Sequence, residues 1–291
     1  MTLPADFPIG IAIFIFGLLI GSFLNVVIYR VPLEESIVFP GSHCPNCNTQ
    51  IKAYDNIPVF AYLWLGGKCR KCKIRISPIY PLVELLVGVL YFLCYLKVSY
   101  QFLPAKHGSL AYWLAIVANV VFVSVIVPLI FIDYHHKLLP DVITKPALPL
   151  MLLLRALAPD PVITIATRET FYLFTWPDWG VALVGSAIGA LVGGGSLWLV
   201  RWLYFVVRKE EGMGLGDVKM MLFVGAFLGW QLTFLTIFMA SLLGSIVGIS
   251  LIAIAGRNTK TQIPFGVFLG PAAIIALFVG QSILHWYLAM Y

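Results

Sequence analysis

Residues 212–230 read GMGLGDVKMMLFVGAFLGW, so a glycine-rich turn leads directly into an apolar segment. The one acidic residue of this stretch, Asp217, stands where the apolar segment begins. Similar segments recur along the 291-residue chain, in which 60% of the residues are hydrophobic. Only 11% are charged, whereas roughly a quarter of the residues of a soluble domain carry charge. The composition therefore predicts an integral membrane protein.

The apolar segments are predicted to be helices, because a backbone exposed to lipid must satisfy its own hydrogen bonds. A helix needs ~20 residues to cross the hydrocarbon. Segments that approach or exceed this length are 8–29, 79–96, 112–132, 180–207, 232–255 and 265–287. Two shorter segments, 142–157 and 219–230, bring the predicted number of spans to about eight. The predicted fold is an all-α polytopic membrane protein with one small polar loop domain.

Glycines recur at helical spacing in the second half of the chain. Gly185, Gly189 and Gly193 form one such series, and Gly225 and Gly229 form another. Small residues four apart let two membrane helices approach closely. This pattern predicts tight packing between the helices that carry it.

Lysine and arginine set the predicted orientation. If the first span enters the cytoplasm, the loops on that side hold twelve of them, including Arg257 and Lys260; the other side holds four, including Lys106. The chain then divides into a first span (1–30), a cytoplasmic loop domain (31–78) and a membrane-embedded remainder (79–291). The net charge of +6 is attributed to this topology and to anionic lipid, and no nucleic-acid partner is expected.

The polar loop contains two CxxC pairs. Cys44 and Cys47 form the first, and Cys69 and Cys72 follow after 21 intervening residues. Two such pairs can present four sulfurs tetrahedrally to one Zn²⁺ at ~2.3 Å. A reducing cytoplasm disfavours disulfides, although two bridges or a redox pair remain the alternative. Four thiolates leave no open position on the ion, so the predicted zinc site is structural.

Two aspartates are predicted to lie at one membrane face. Asp133 ends the third long span, and Asp217 begins a later segment on the same side. Ionisable groups are costly at such positions, which makes them candidates for function. In aspartyl proteases, two carboxylates share one proton: the protonated group acts as acid, and the ionised group takes a proton from the attacking water. Glycines 212, 214 and 216 would let a peptide backbone approach Asp217.

Simpler roles remain open for these residues. Asp217 could cap the helix that follows it, because aspartate accepts hydrogen bonds from free N–H groups at a helix start. Asp133 could pair with Lys137 at the interface. Asp141 is an alternative to Asp133 as the second carboxylate of the pair, although its expected role is to cap the start of the 142–157 segment. Lys219 could hold one carboxylate ionised or extend to the surface.

Four stretches together resemble the type IV prepilin peptidases, which combine leader peptidase and N-methyltransferase activities. They are GSFLNVVIYRVP (21–32), the paired CxxC loop, IDYHHKLLPD (132–141) and GMGLGDVK (212–219). The resemblance implies that Asp133 and Asp217 are the catalytic pair and that the four loop cysteines hold zinc. It also implies a prepilin or pseudopilin substrate of type IV pili or type II secretion. The cut would follow a glycine that ends a basic leader, at the cytoplasmic face of the bacterial inner membrane.

The same resemblance implies methylation of the new N-terminal residue, with S-adenosylmethionine as donor. We find no strand-anchored GxGxxG motif, and the polar loop is too small for a Rossmann domain. A donor site must then be built from the loop and helix ends. Residues 21–30 and Glu84 are candidates only because they lie near the loop, and the residues that bind the donor remain unknown.

Two other functions compete with this interpretation. A GxGD intramembrane protease of the signal-peptide-peptidase type would also place an aspartate in GxGD, but the CxxC pairs argue against it. In a membrane scaffold or transporter, the aspartates would carry protons and the zinc loop would bind a partner. No inverted repeat is evident in the sequence, which counts against a transporter.

Overall fold

A computed structural model describes residues 7–102, 108–210, 212–255 and 264–290. The predicted Lys106, Arg257 and Lys260 lie outside these residues. Within them the α-helices are α1 (Phe7–Arg30), α2 (Phe60–Trp64), α3 (Ile79–Gln101), α4 (Leu110–His136), α5 (Asp141–Leu157), α6 (Pro161–Phe171), α7 (Asp178–Arg208), α8 (Leu215–Ala255) and α9 (Gly266–Leu288). The only β-pairing in this part of the chain is two isolated bridges. The predicted all-α membrane fold is confirmed.

Six of the described helices are long and apolar enough to cross a membrane, namely α1, α3, α4, α7, α8 and α9. The predicted number of about eight spans is not confirmed. The segment 142–157 lies in α5, whose 17 residues stand at the short end of the ~17–25 residues with which helices cross a membrane. The segments 219–230 and 232–255 both lie in α8, in which two helical stretches meet at Gly229, where the backbone is not helical (φ 77°, ψ 168°).

The described residues form two compact units, one of residues 1–107 and 119–128, the other of 108–118 and 129–291. In the first unit, α1 packs along α3 through glycines. A Cβ at Gly17 would lie 2.8 Å from the Cα of Gly88, and one at Gly21 would lie 2.7 Å from the Cα of Glu84. The two backbones therefore approach to a distance that larger residues would prevent. The division into 1–30, 31–78 and 79–291 stays a prediction.

In the second unit, α7 and α8 make the closest helix contact. Gly189 and Gly225 face each other, and a Cβ on either would overlap the backbone carbonyl of the other. Gly193 lies against the backbone of Met221 in the same way. These glycines belong to the series spaced four residues apart, which predicted tight packing. The structure confirms that the backbones of α7 and α8 are in contact there.

A buried arginine that the sequence analysis missed joins α5 to α8. Arg155 donates from Nε to the carbonyl oxygen of Phe227 at 2.9 Å, and its guanidinium lies 3.8 Å from the centre of the Phe227 ring. Asp160 supplies an opposite charge at 3.6 Å. A buried charge needs such partners, because an unpaired one is costly away from water. The two helices are thereby held together by a polar contact within an apolar bundle.

We expect Gly225→Ala to destabilise the protein by about 1–3 kcal/mol, because the added methyl group must push α7 away from α8. The apparent melting temperature in detergent measures this loss. Gly248→Ala is the matched control on α8, since a Cβ there would meet nothing within 4 Å. Equal melting temperatures for the two variants would contradict the proposed role of the contact.

Candidate active site and metal centre

Asp133 lies in the last turn of α4 and is 4% exposed. The backbone N–H groups of Gly266 and Val267, in the first turn of α9, lie within reach of its carboxyl group. The first N–H groups of a helix have no partner within that helix, so they are free to bind a carboxylate. Within the described part of the chain, Asp133 Oδ2 is buried without a hydrogen bond of good geometry. The hydrogen-bonding capacity of this carboxylate oxygen is thus unused among the described residues.

Asp217 lies in the first turn of α8 and is 8% exposed. Its carboxyl group also lies within reach of the Gly266 N–H and interacts electrostatically with Asp133. A Cβ built on Gly266 would stand 2.6 Å from Asp133 Oδ2 and 3.3 Å from Asp217 Oδ1. The structure therefore brings the two predicted aspartates together around a single backbone position.

Gly266 and Val267 were not predicted as site residues. They follow Pro264 and Phe265 at the start of an apolar span, and neither side chain is ionisable. Their contribution comes from backbone N–H groups, which every residue except proline has. No signal in the sequence distinguishes this helix start from the others.

The simpler role proposed for each catalytic candidate finds no support. Asp217 is the third residue of α8, inside the helix, and therefore not its N-cap. No ion pair joins Asp133 to Lys137 among the described residues; instead, the Lys137 N–H donates to the Asp133 carbonyl oxygen at 2.9 Å and ends α4.

Asp141 has a different environment from the two buried aspartates. It is the first residue of α5, and Pro140 occupies the N-cap position, so the predicted capping role for Asp141 is wrong. Its carboxylate is partly exposed and pairs with Lys145 at 2.8 Å and with Lys219. Lys219 therefore forms an ion pair with Asp141, and this pair links α8 to α5. This arrangement makes Asp141 a surface ion-pair residue.

The three glycines before α8 differ in their surroundings. A Cβ at Gly212 would meet the ring of Tyr204, and one at Gly216 would meet Leu139 at 2.8 Å. Gly214 is open, with its nearest neighbour at 3.9 Å. Two of these glycines are thus required by packing, and Gly214 alone leaves the space that an approaching peptide backbone needs.

The four loop cysteines form one cluster in the first unit. The four Sγ atoms all lie within 4.8 Å of one another. Cys44 and Cys72 are 3.7 Å apart, and Cys47 and Cys69 are 4.0 Å apart. Four sulfurs at ~2.3 Å from a tetrahedral zinc ion would be separated by about 3.8 Å. The donor set and its spacing fit a structural Zn²⁺.

The two halves of this cluster are copies of one turn, displaced by 25 residues along the chain. The Cys44 N–H donates to Thr49 O at 3.0 Å, and the Cys69 N–H donates to Ile74 O at 2.9 Å. A residue of positive φ follows the second cysteine of each pair, Asn48 (φ 50°) in one and Lys73 (φ 60°) in the other. The repeat is not evident in the sequence, because the two copies share little beyond CxxC.

The surroundings of two of the four cysteines favour the thiolate, which is the form that binds metal. Hydrogen bonding to the Thr49 side chain and backbone lowers the pKa of the Cys47 thiol to about 6. The backbone N–H groups of Cys72 and Lys71 lower the pKa of the Cys69 thiol. Backbone N–H groups of the first turn act in the same way on Cys44, but burial and hydrogen bonds to Cys69 and Cys47 leave the pKa of its thiol raised.

Two family models match successive parts of the chain. Residues 15–98 match the model of the bacterial Peptidase A24 N-terminal domain, and residues 120–249 match that of the type IV leader peptidase family. A protein of Aeromonas salmonicida named prepilin leader peptidase/N-methyltransferase is 36% identical, over 95% of this chain and 93% of the relative. The chain belongs to the type IV leader peptidase family. The predicted family and the prediction of a membrane peptidase are thus confirmed.

Other members of the family carry the same name. The relative from Pseudomonas aeruginosa is 36% identical over 94% of this chain and 91% of its own length. That from Myxococcus xanthus is 38% identical over 88% of this chain and 68% of its own length. No solved structure matches significantly.

We expect Cys69→Ser to lose bound zinc, because three thiolates and a hydroxyl bind the ion far less tightly than four thiolates. The zinc content of the purified protein measures this, and we expect one ion per chain before substitution. Cys94→Ala is the control, since Cys94 is buried in α3 and lies outside the cluster. Full zinc occupancy in Cys69→Ser, or its loss in Cys94→Ala, would refute the assignment.

We expect Gly266→Ala to reduce peptidase activity by roughly a hundredfold, because the new methyl group must displace at least one carboxylate. Peptide cleavage by purified protein measures the effect, and the melting temperature tests folding. Gly195→Ala is the matched control on α7, where a Cβ would meet nothing within 4 Å. Normal cleavage by a folded Gly266→Ala variant would show that Gly266 does not position the catalytic carboxylates.

Proposed function

We propose that this protein cleaves the leader peptide of type IV prepilins or pseudopilins and then methylates the new N-terminal residue. Cleavage is assigned to Asp133 and Asp217. The observation that supports this assignment is that both carboxyl groups are buried and lie beside the Gly266 N–H. The substrate class rests on the name shared by the relatives.

In the proposed reaction, the ionised aspartate takes a proton from a water molecule as the water oxygen attacks the scissile carbonyl carbon. The protonated aspartate gives its proton to the carbonyl oxygen, so a neutral tetrahedral diol forms. Its collapse breaks the C–N bond: the leaving nitrogen takes a proton from one aspartate, and a diol hydroxyl gives its proton to the other. One water is consumed, and the pair ends with the same number of protons with which it began.

The Gly266 backbone would fix the geometry of this pair. An N–H group donates a hydrogen bond to a carboxylate but cannot remove its proton, so it orients the acids without competing in the reaction. The positive end of the α9 dipole also favours one negative charge at this place. We propose that the attacking water forms a hydrogen bond with Asp133 Oδ2, which has no partner among the described residues.

The proposed metal has no part in the chemistry. Four sulfur ligands close the coordination shell, so Zn²⁺ would order the loop around the two cysteine turns. The resemblance and the relatives' name suggest S-adenosylmethionine as methyl donor. In the transfer, the S–CH₃ bond breaks and the amine nitrogen forms the new C–N bond. The sulfur keeps the electron pair of the broken bond, and the nitrogen releases one proton.

The proposed location is the bacterial inner membrane, with the loop domain and the dyad at the cytoplasmic face. The support for this orientation is the excess of lysine and arginine in the loops on that side. The predicted lipid contact agrees with the six apolar helices.

We expect Asp133→Asn and Asp217→Asn to reduce cleavage of a model prepilin by at least about a thousandfold, because each removes an acid or base from the dyad. Purified protein in detergent, with the product identified by mass spectrometry, measures the cut site. Asp141→Asn is the matched control, since this partly exposed ion-paired aspartate should retain activity within about threefold.

Each competing outcome has its own consequence. Normal cleavage by either folded dyad variant would remove that residue from the mechanism. Cleavage within an apolar span, with an uncut leader, would favour a GxGD intramembrane protease. A protein that cuts neither substrate, yet still supports pilus assembly when both aspartates are replaced, would be a scaffold.

A further inference from the structure

The first unit contains a pocket with a volume of about 300 Å³. One face of α1 lines it with Leu19, Ser22 and Val26, and the segment 37–42 lines it with backbone and side chains. Asn56 and Pro58 complete the lining. Sites for small molecules occupy roughly 300–1,000 Å³. The pocket therefore has the size of a small-molecule site, and neither the zinc cluster nor the dyad uses it.

A buried arginine holds one wall of this pocket. Arg30, at the end of α1, is 7% exposed. Its guanidinium donates to the Ser36 carbonyl oxygen at 2.9 Å and to the Pro40 carbonyl oxygen at 2.7 Å. Arg30 and Pro40 both line the pocket, so this contact fixes the segment after α1.

A buried glutamate holds another part of the wall. Glu84, on α3, is 8% exposed and accepts a hydrogen bond from the Val59 N–H at 2.7 Å. The Ser22 hydroxyl also hydrogen-bonds to this carboxylate. Ser22 lines the pocket, and Val59 directly follows the lining residue Pro58. An acidic group in a membrane helix is thus used to join two of the elements that form the site.

The backbone at Val59 is strained. Its φ of 63° and ψ of −51° are rare for any residue with a side chain and rarer for a β-branched one. Such conformations persist where surrounding contacts impose them, and they concentrate at ligand and active sites. Here the contact that imposes it is the hydrogen bond to Glu84. The strained residue, the buried acid and the pocket thus occur together.

We infer that this pocket binds S-adenosylmethionine, an assignment that rests on the methyltransferase part of the proposed function. Leu19, Phe23 and Val26 offer an apolar surface suited to an adenine ring. Ser22, Ser42 and Asn56 offer groups that can bind ribose hydroxyls or an amino group. The Glu84 carboxylate, which hydrogen-bonds to Ser22, favours a ligand with positive charge, such as the sulfonium and ammonium groups of this donor.

The charge of Arg30 suits the remaining group of this ligand, its carboxylate. Ser22 and Arg30 are separated by eight residues on α1, which corresponds to about 12 Å along the helix. A site with an acid near one position and a base near the other favours a ligand with charges of both signs. An apolar segment of a prepilin would offer no charged group to either of them.

The test is direct binding of S-adenosylmethionine to the full-length protein in detergent, measured by calorimetry beside cleavage of a model prepilin. Val26→Trp fills the pocket from α1, and we expect at least about tenfold weaker binding. Ile15→Trp is the matched control: Ile15 lies on the same helix, is 51% exposed and does not line the pocket. It should bind as the unaltered protein does. Zinc content and melting temperature check the fold of each variant.

Gly41→Leu provides a second variant from the other wall, in case Val26→Trp does not fold. A Cβ at Gly41 meets only Gln50 Nε2 at 3.5 Å, so the substitution should be tolerated by the loop. Weakened binding in Gly41→Leu supports the same assignment.

The possible failures are distinguishable. Undiminished binding in folded filling variants would place the donor elsewhere and overturn the assignment, while methylation itself would stand. Cleavage without any donor binding by the unaltered protein would overturn both the assignment and the methyltransferase proposal. Donor binding without cleavage would support the pocket and refute the peptidase proposal.

Discussion

Two carboxyl groups buried at the ends of membrane helices are the constraint on which the second unit depends. Such groups need hydrogen-bond donors, because water is scarce around them. The start of α9 supplies these donors as backbone N–H groups, which no residue of its own helix can use. This solution requires the α9 backbone to lie against the ends of α4 and α8. It explains why residue 266 is a glycine, since a Cβ would occupy the space of the Asp133 carboxylate.

The position of Asp217 depends in turn on how α8 is held. Its first turn is joined to α5 by Lys219 and Asp141, and Gly216 packs against Leu139. Further along, α8 meets α7 through the backbone contact of Gly189 and Gly225. In a lipid environment these contacts replace the hydrophobic effect, which provides little force between apolar helices. The glycines and ion pairs are therefore part of what positions the carboxylate.

The sequence predicted those parts of the structure in which the type of side chain indicates its function. The four cysteines predicted a metal cluster, since sulfur pairs at CxxC spacing have few other uses in a reducing compartment. Asp133 and Asp217 were identifiable because acids at membrane helix ends are rare. Gly266 was not, because its contribution comes from a backbone N–H and from a missing side chain. The predicted number of spans is not confirmed: six described helices are long and apolar enough to cross a membrane, and the further spans were predicted at the short helix α5 and at the break in α8.

Long-range pairing explains the other differences. The Asp141 carboxylate was expected at an N-cap, but its partner Lys219 lies 78 residues away, and local rules cannot detect such contacts. The same limitation applies to Glu84, whose partners Val59 and Ser22 lie on separate elements.

Glu84 also shows how an acid in a membrane helix can have a structural role without taking part in a reaction. It imposes a strained backbone at the edge of a pocket, and a small pocket of this kind can serve a second reaction without a separate cofactor domain. Asp133 and Asp217 belong to one compact unit, and the residues that line the pocket belong to the other. The two proposed reactions would therefore use different buried acids.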